Sequence, residues 1–263
     1  MHLFEALIVP PNGVGIHWFG QSSFAIKHTD GTIIQVDPYY PHDRPADTFI
    51  HSEPPLDEAS MPTEFVLLTH NHGDHTCAET IGRIVATHPQ VELIGPSESG
   101  KKISEAGLGA SKFTTVTACD TVSAGAMTVH VIWSKPPQGV PEENIDPPDC
   151  QHLGFVIETG SVNVYISGDP INSFADHESL LSPVRQLKPD IGLLTNHPTE
   201  GEFPFFDGSA KMAAQLELKA AVPAHYDCFV ARNYDPQQWA SQFSRQGTDT
   251  LPIAYNTSII YTA

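Results

Sequence analysis

Positive charge is scarce in this chain. Lysine and arginine supply 13 of 263 residues against 31 aspartates and glutamates, a formal net charge of −18. A surface that acidic repels polyanions, which disfavours a nucleic-acid partner. Cysteine is scarce too. The four, at positions 77, 119, 150 and 228, form no CxxC pair, so neither a thiolate zinc site nor a redox dithiol nor a disulfide scaffold is indicated. Free thiols fit a reducing cytosol. No apolar run approaches the length of a membrane span, and the opening MHLFEALIVPPNG lacks the basic stretch of a secretory signal. The expectation is a soluble cytoplasmic protein with a small-molecule substrate and no nucleic-acid or membrane partner, homo-oligomerisation being left open. Short internal repeats, low-complexity tracts and linkers are missing as well, so the chain reads as a single domain over residues 1–263.

What is present is a 40% hydrophobic composition, enough for a full core. Strand-like segments at Gly15–Phe19, Ser23–Lys27 and Thr32–Val36 lead into a proline-rich loop at 37–62. Strand Phe65–Thr69, a helix from about Cys77 to Thr87, strand Val91–Ile94 and helix Ser97–Ala106 follow. Strands return at Phe113–Thr117 and Met127–Trp133, before a loop, Ser134–Gln151, that holds five of the 23 prolines and reads as a surface flap. Leu153–Glu158 and Asn163–Ser167 read as a hairpin. Beyond it come helix 174–188, strand Ile191–Thr195, helix 208–219, strand Ala221–Ala224, helix 236–244 and a closing strand Ser258–Tyr261. Two β-rich runs, each passing into β/α alternation, predict an α/β fold: a four-layer αββα sandwich of two mixed sheets with outer helices.

The 14 histidines carry most of the functional information. In FVLLTHNHGDHT, Phe65 to Thr76, an apolar strand runs straight into three histidines and an aspartate. Alternation in an extended chain would point His70 and His72 the same way, where two imidazoles can grip one metal ion. Gly73 permits a sharp turn, after which Asp74 and His75 would face the same cavity from its other side and suit a second ion. The plain alternative is a polar loop in which Asp74 or Thr76 caps the next helix. A cap needs one such residue and not three histidines besides, so the donor chemistry favours metal.

THNHGDH resembles the HxHxDH signature of the metallo-β-lactamase-fold hydrolases. Further matches follow in order: Asp169 at the end of YISGD, His225 in PAHYD, and Asp37 in IIQVDP. The resemblance spans nearly the whole chain, from Ile16 in IHWFG to the last strand. It implies that Asp169 bridges two metals, that His225 ligates the second, and that Asp37 orients a ligand histidine from outside the coordination sphere. Among subgroups the chain is most similar to the L-ascorbate-6-phosphate lactonase type, through the polar Ile171-Asn172-Ser173 segment and DIGLLTNHPTEG ahead of PAHYD. Many relatives carry a third first-site histidine after the strand equivalent to Val129–Trp133. Here that position reads Trp133-Ser134-Lys135, and His152, just before LGFVIE, is the nearest substitute or else a flap surface residue. His130, inside a strand, fits packing or exposure better than ligation.

The implied centre holds one divalent ion on His70, His72, His152 and Asp169, and another on Asp74, His75, His225 and Asp169. Zinc or manganese suits these ligands, and iron is compatible with them. A water shared between such ions would be the nucleophile, with Asp74 as proton shuttle. His197, after a strand end, and Tyr226, beside the last ligand, are candidate substrate contacts, each with a structural alternative. Lys135 could meet a phosphate, or lie solvated on the flap. The implied activity is opening of a lactone of a small polar compound, phosphorylated or not. Hydrolysis of a small or lipid phosphodiester is the second reading, and a metal-binding protein without turnover is the third.

Overall fold

The computed structural model describes residues 2–108, 112–243 and 247–263. Alternation of apolar side chains builds its first sheet. In β1 (Gly13–Trp18), Val14, Ile16 and Trp18 enter the central core, while His17 points to the other face. β2 (Phe24–Lys27) and β3 (Ile33–Val36) repeat the scheme: Phe24, Ile26, Ile34 and Val36 face inward. Ala25 and Ile33 face outward, into a smaller cluster with Phe4 of the short helix α1 (Leu3–Ala6). The sheet continues through β4 (Phe65–Leu67), β5 (Glu92–Gly95) and β6 (Lys112–Thr115), and β14 (Thr257–Thr262) returns to pair with β1. Pairing is antiparallel from β14 to β3 and parallel from β3 to β6. Parallel neighbours need long crossovers, supplied here by the 37–64 loop, α2 (Ala78–Thr87) and α3 (Ser97–Glu105).

The second sheet repeats the plan. β7 (Thr121–Ala124), β8 (Met127–Trp133), β9 (Leu153–Glu158) and β10 (Asn163–Ile166) pair antiparallel. β11 (Ile191–Thr195), β12 (Ala220–Ala224) and β13 (Asp249–Thr250) extend it in parallel, over crossovers containing α4 (Glu178–Gln186), α5 (Phe206–Gln215) and α6 (Pro236–Ala240). Trp18, Leu67, Phe155, Val164 and Leu193 belong to one continuous core shared by both sheets. Outside the first sheet, Ile81 and Ile84 of α2 pack with Val66 and Leu93. Each such buried side chain stabilises the fold by about 1.5–3 kcal/mol. Two mixed sheets flanked by helices are the expected fold class.

Several boundaries differ from the sequence expectation. β7 and β13, both polar or very short, and α1 were not anticipated. The strand expected to reach Thr69 ends at Leu67. The expected helix 174–188 is broken at His177, whose extended backbone separates a 3-10 turn at Phe174–Asp176 from α4. The His177 carbonyl then accepts from Leu180 and Leu181 and starts the α-helix. The expected helix 208–219 runs instead from Phe206 to Gln215. The expected helix 236–244 becomes α6 and a 3-10 turn at Ser241–Phe243, and its last residue, Ser244, lies outside the described residues.

Candidate metal centre

The ends of the parallel strands carry the candidate residues. Asp37 follows β3, His70 and His75 follow β4, Asp169 follows β10, His197 follows β11 and His225 follows β12, while His152 sits just before β9. The two sheets are hydrogen-bonded at this edge, where Leu153 N donates to Thr69 O at 2.9 Å. Gly168 makes the approach feasible. Its φ is +58°, and a Cβ there would sit 2.3 Å from Leu153 O. Asp37 and His225 hold left-handed backbone without being glycine, at φ +44° and +73°. Such conformations cost about 1–3 kcal/mol and collect at functional sites.

Asp169 Oδ2 is the hub. It lies 3.3 Å from His75 Nε2, 3.6 Å from His70 Nε2 and 3.8 Å from His225 Nε2. Asp74 Oδ2 is 3.8 Å from His75 Nε2 and 3.6 Å from His225 Nε2. Asp37 organises the centre from behind. Its carboxylate accepts from Thr69 N at 2.8 Å and Thr69 Oγ1 at 2.6 Å, and Oδ2 lies 2.7 Å from His75 Nδ1. With the His75 Nδ1 hydrogen given to Asp37, the Nε2 lone pair faces Asp169 and Asp74, the usual carboxylate support of a ligand imidazole.

The unpartnered atoms test whether a metal fits. His70 Nε2, His75 Nε2, Asp169 Oδ1 and both nitrogens of His152 are buried without a hydrogen bond. Orphaned buried polar atoms are costly and rare, and donor atoms of His70, His75 and Asp169 gathered within 4.8 Å of one another are the pattern of ligands around a cation. Charge agrees. Burial opposes protonation of His75, yet Asp169, Asp37 and Asp74 outweigh it and push its pKa well above the usual range. Burial likewise opposes ionisation of Asp169, but His75 and His225 hold it well below the ordinary carboxylate value. Three carboxylates around one buried imidazole make a site that favours positive charge. His152 is pushed down to about 3 by burial and by Lys135, which keeps it neutral. Imidazole and carboxylate donors of this kind fit zinc, manganese or iron.

Not every candidate falls where the sequence placed it. Ligand atoms within 4.8 Å of one another form three groups among the described residues: His70, His75 and Asp169; Asp74, His75 and His225; and His72, Asp149, Cys150 and His152. The residues expected at the first site, His70, His72, His152 and Asp169, fall in two adjoining groups. His70 groups with His75, and His72 and His152 with the flap. Rings still run continuously, with His70 4.5 Å from His72 and 4.1 Å from His152 between centroids. His152 is 1% exposed, so it is no surface residue of the flap. The Tyr226 ring is stacked between Trp18 and Tyr234, at 4.5 and 4.6 Å, and it borders a depression with Asn233 and Pro236. At His197, Nδ1 is 3.3 Å from Thr199 N and 3.0 Å from Glu200 N, which donate to it, so Nε2 carries the hydrogen. That Nε2 is buried without a partner. Lys135 is committed to Glu202 at 2.8 Å.

Two neighbours of the centre were missed. Gln21 Nε2 donates to Asp74 Oδ2 at 2.9 Å and lies 3.0 Å from His225 Nε2. Asp149 approaches His72 from the flap, at 3.1 and 3.2 Å. Nothing local in GQSS or PPDC marks either residue, since both meet the centre through tertiary contacts.

This fold with this cluster defines a metal-dependent hydrolase of the metallo-β-lactamase superfamily. The chain belongs to that superfamily: residues 34–226 match the family model described as Beta-lactamase superfamily domain. Similar proteins include a UPF0173 metal-dependent hydrolase of Exiguobacterium sp., 28% identical over 262 residues, covering 94% of this chain and 99% of the relative. Another, from Archaeoglobus fulgidus, is 23% identical over 253 residues, covering 89% and 92%. Among solved structures, the metallo hydrolase Igni18 of Ignicoccus hospitalis superposes with a TM-score of 0.70 at 17% identity, covering 95% of this chain and 99% of that one. An isothiocyanate hydrolase from Delia radicum gut bacteria gives 0.73 at 14% identity, covering 95% and 99%. These structural likenesses speak to the fold.

Proposed function

We propose that the protein is a hydrolase acting through two divalent ions, zinc or manganese, on a small polar ester, a lactone in the first instance. The observation that supports the reading is Asp169 Oδ2 within 3.8 Å of the Nε2 atoms of His70, His75 and His225, a carboxylate that would suit two ions at once. When bound, such ions lower the pKa of a water and polarise the substrate's carbonyl. The protein's own groups do the rest. Asp74 is held by Gln21 at 2.9 Å, and its side chain is 21% exposed, so it can take a proton from the attacking water and return it to the leaving oxygen. His197 offers a fixed Nε2 hydrogen to a substrate oxygen. A phosphorylated substrate has less support, because Lys135 is already paired with Glu202. The charge of −18 favours a small molecule over nucleic acid. Four free cysteines accord with a cytoplasmic location.

Screening metal-replete protein against lactones and phosphodiesters tests the reading. A lactone should be turned over, activity should vanish on chelation and return with metal, and Asp74→Ala should lose about 10²–10⁴-fold in kcat. A wild-type rate in Asp74→Ala would remove the proposed proton shuttle, and preference for a phosphodiester would replace the lactone.

A further inference from the structure

The flap between β8 and β9 brings a carboxylate to the centre that the proposed two-ion reading does not use. Asp149 Oδ2 and Oδ1 lie 3.1 and 3.2 Å from His72 Nε2, and Oδ1 lies 3.8 Å from His152 Nε2. Ligands bound at about 2.0–2.2 Å around one ion come to rest at separations of this order. A direct hydrogen bond between His72 and Asp149 would explain the two shorter distances. It would leave unexplained the floor of the cluster, where His152 is 1% exposed and neither ring nitrogen has a partner. A cation among His72, His152 and Asp149 accounts for those distances and for the unpartnered His152 Nε2. The same three residues line a cavity of about 180 Å³ together with Asn172, Gly201 and Glu202.

We propose that Asp149 is a flap-borne ligand to a divalent ion held by His72 and His152, so that metal binding fastens the flap over this cavity. The inference rests on the metal-centre reading above and deepens it. An added oxygen ligand raises the coordination number at this end of the centre. Two imidazoles and a carboxylate are donors compatible with zinc, manganese or iron. The flap then closes a small chamber directly beside the ion, which sets an upper limit on substrate size and favours a compact ring over an extended chain.

The test uses apo protein, manganese(II) as the probe, and the variants Asp149→Ala and Asp149→Asn. The Asp149 side chain is 71% exposed, so both variants should fold, which circular dichroism checks. Manganese affinity is measured by calorimetry, and flap order by the rate of proteolytic cleavage between residues 134 and 152. In wild type, manganese should slow cleavage. Both variants should bind manganese at least ~10–100-fold more weakly, the loss that even supporting groups outside the ligand shell produce, and should lose the protection. Wild-type affinity and protection in Asp149→Ala would overturn the inference while leaving the Asp169-centred site standing. If apo wild type took up no divalent ion, the metal-centre reading itself would fall, and this inference with it.

Discussion

Two buried histidines, one on β1 and one in the loop after β4, show how position sets the chemistry of one residue type. His75 is surrounded by three carboxylates and is drawn toward the charged form despite burial. His17, on the outer face of β1, has two neutral hydrogen-bond partners, Ser258 Oγ at 2.7 Å and Asn256 Oδ1 at 2.9 Å, and meets the His2 ring edge-on at 4.9 Å. Burial, incompletely offset by the Asn256 hydrogen bond, pushes its pKa down to about 4. Its folded value lies below the unfolded 6.5, so the unfolded chain binds the extra proton. The stabilisation is therefore present above about pH 6.5 and is lost as the pH falls through about 4. His17→Gln, which keeps a hydrogen-bonding side chain but does not titrate, should flatten the stability profile in that window by on the order of 2–3 kcal/mol. Urea unfolding of both proteins at pH 7, 5.5 and 4 measures it. Parallel profiles would mean that His17 titrates alike in the folded and unfolded chains.

At the level of elements, the turn between β10 and the residues after it matters most. Gly168 has φ +58°, and an added Cβ would meet Leu153 O at 2.3 Å and Thr69 Cβ at 3.3 Å. They belong to the two residues whose hydrogen bond, from Leu153 N to Thr69 O, joins the two sheets. Gly168→Ala should therefore cost at least about 1–3 kcal/mol and displace Asp169 from the imidazoles that it serves. Thermal unfolding together with metal content of the purified variant checks both effects. Normal metal uptake in a merely destabilised protein would separate the strain from the site. The flap between β8 and β9 is the contrasting element. It has little regular structure beyond a 3-10 turn at Pro141–Glu143, yet it delivers His152 and Asp149.

Across the molecule, both sheets run from antiparallel pairing at one side to parallel pairing at the other, and the parallel strand ends meet at one edge. The centre draws residues from both sheets, so an ion bound there would link them. Metal should stabilise the whole fold by about 2.7 kcal/mol at a free concentration of 100 Kd. Stripping the protein with a chelator should lower Tm, and readdition should restore it, with Asp169→Ala showing little response. An unchanged Tm in wild type would mean that the ligands are held without the ion. Among the described residues no helix is long and apolar enough to cross a membrane.

The donor types of the centre were legible because they are dense in sequence: His70, His72, Asp74 and His75 lie within six positions, directly after an apolar strand. The layered fold was legible for the same reason, since alternation and turn signals are local. Asp169, His225 and Asp37 came from resemblance to a family, and their convergence depends on three separate strands ending at one edge. Only the tertiary structure decided the rest. It moved His72 and His152 toward Asp149, placed Gln21 between Asp74 and His225, and stacked Tyr226 in the core. Each of these depends on which distant atoms fill the space around a side chain. Local patterning determines which groups are offered and where strands stop; packing between the sheets determines which of those groups meet.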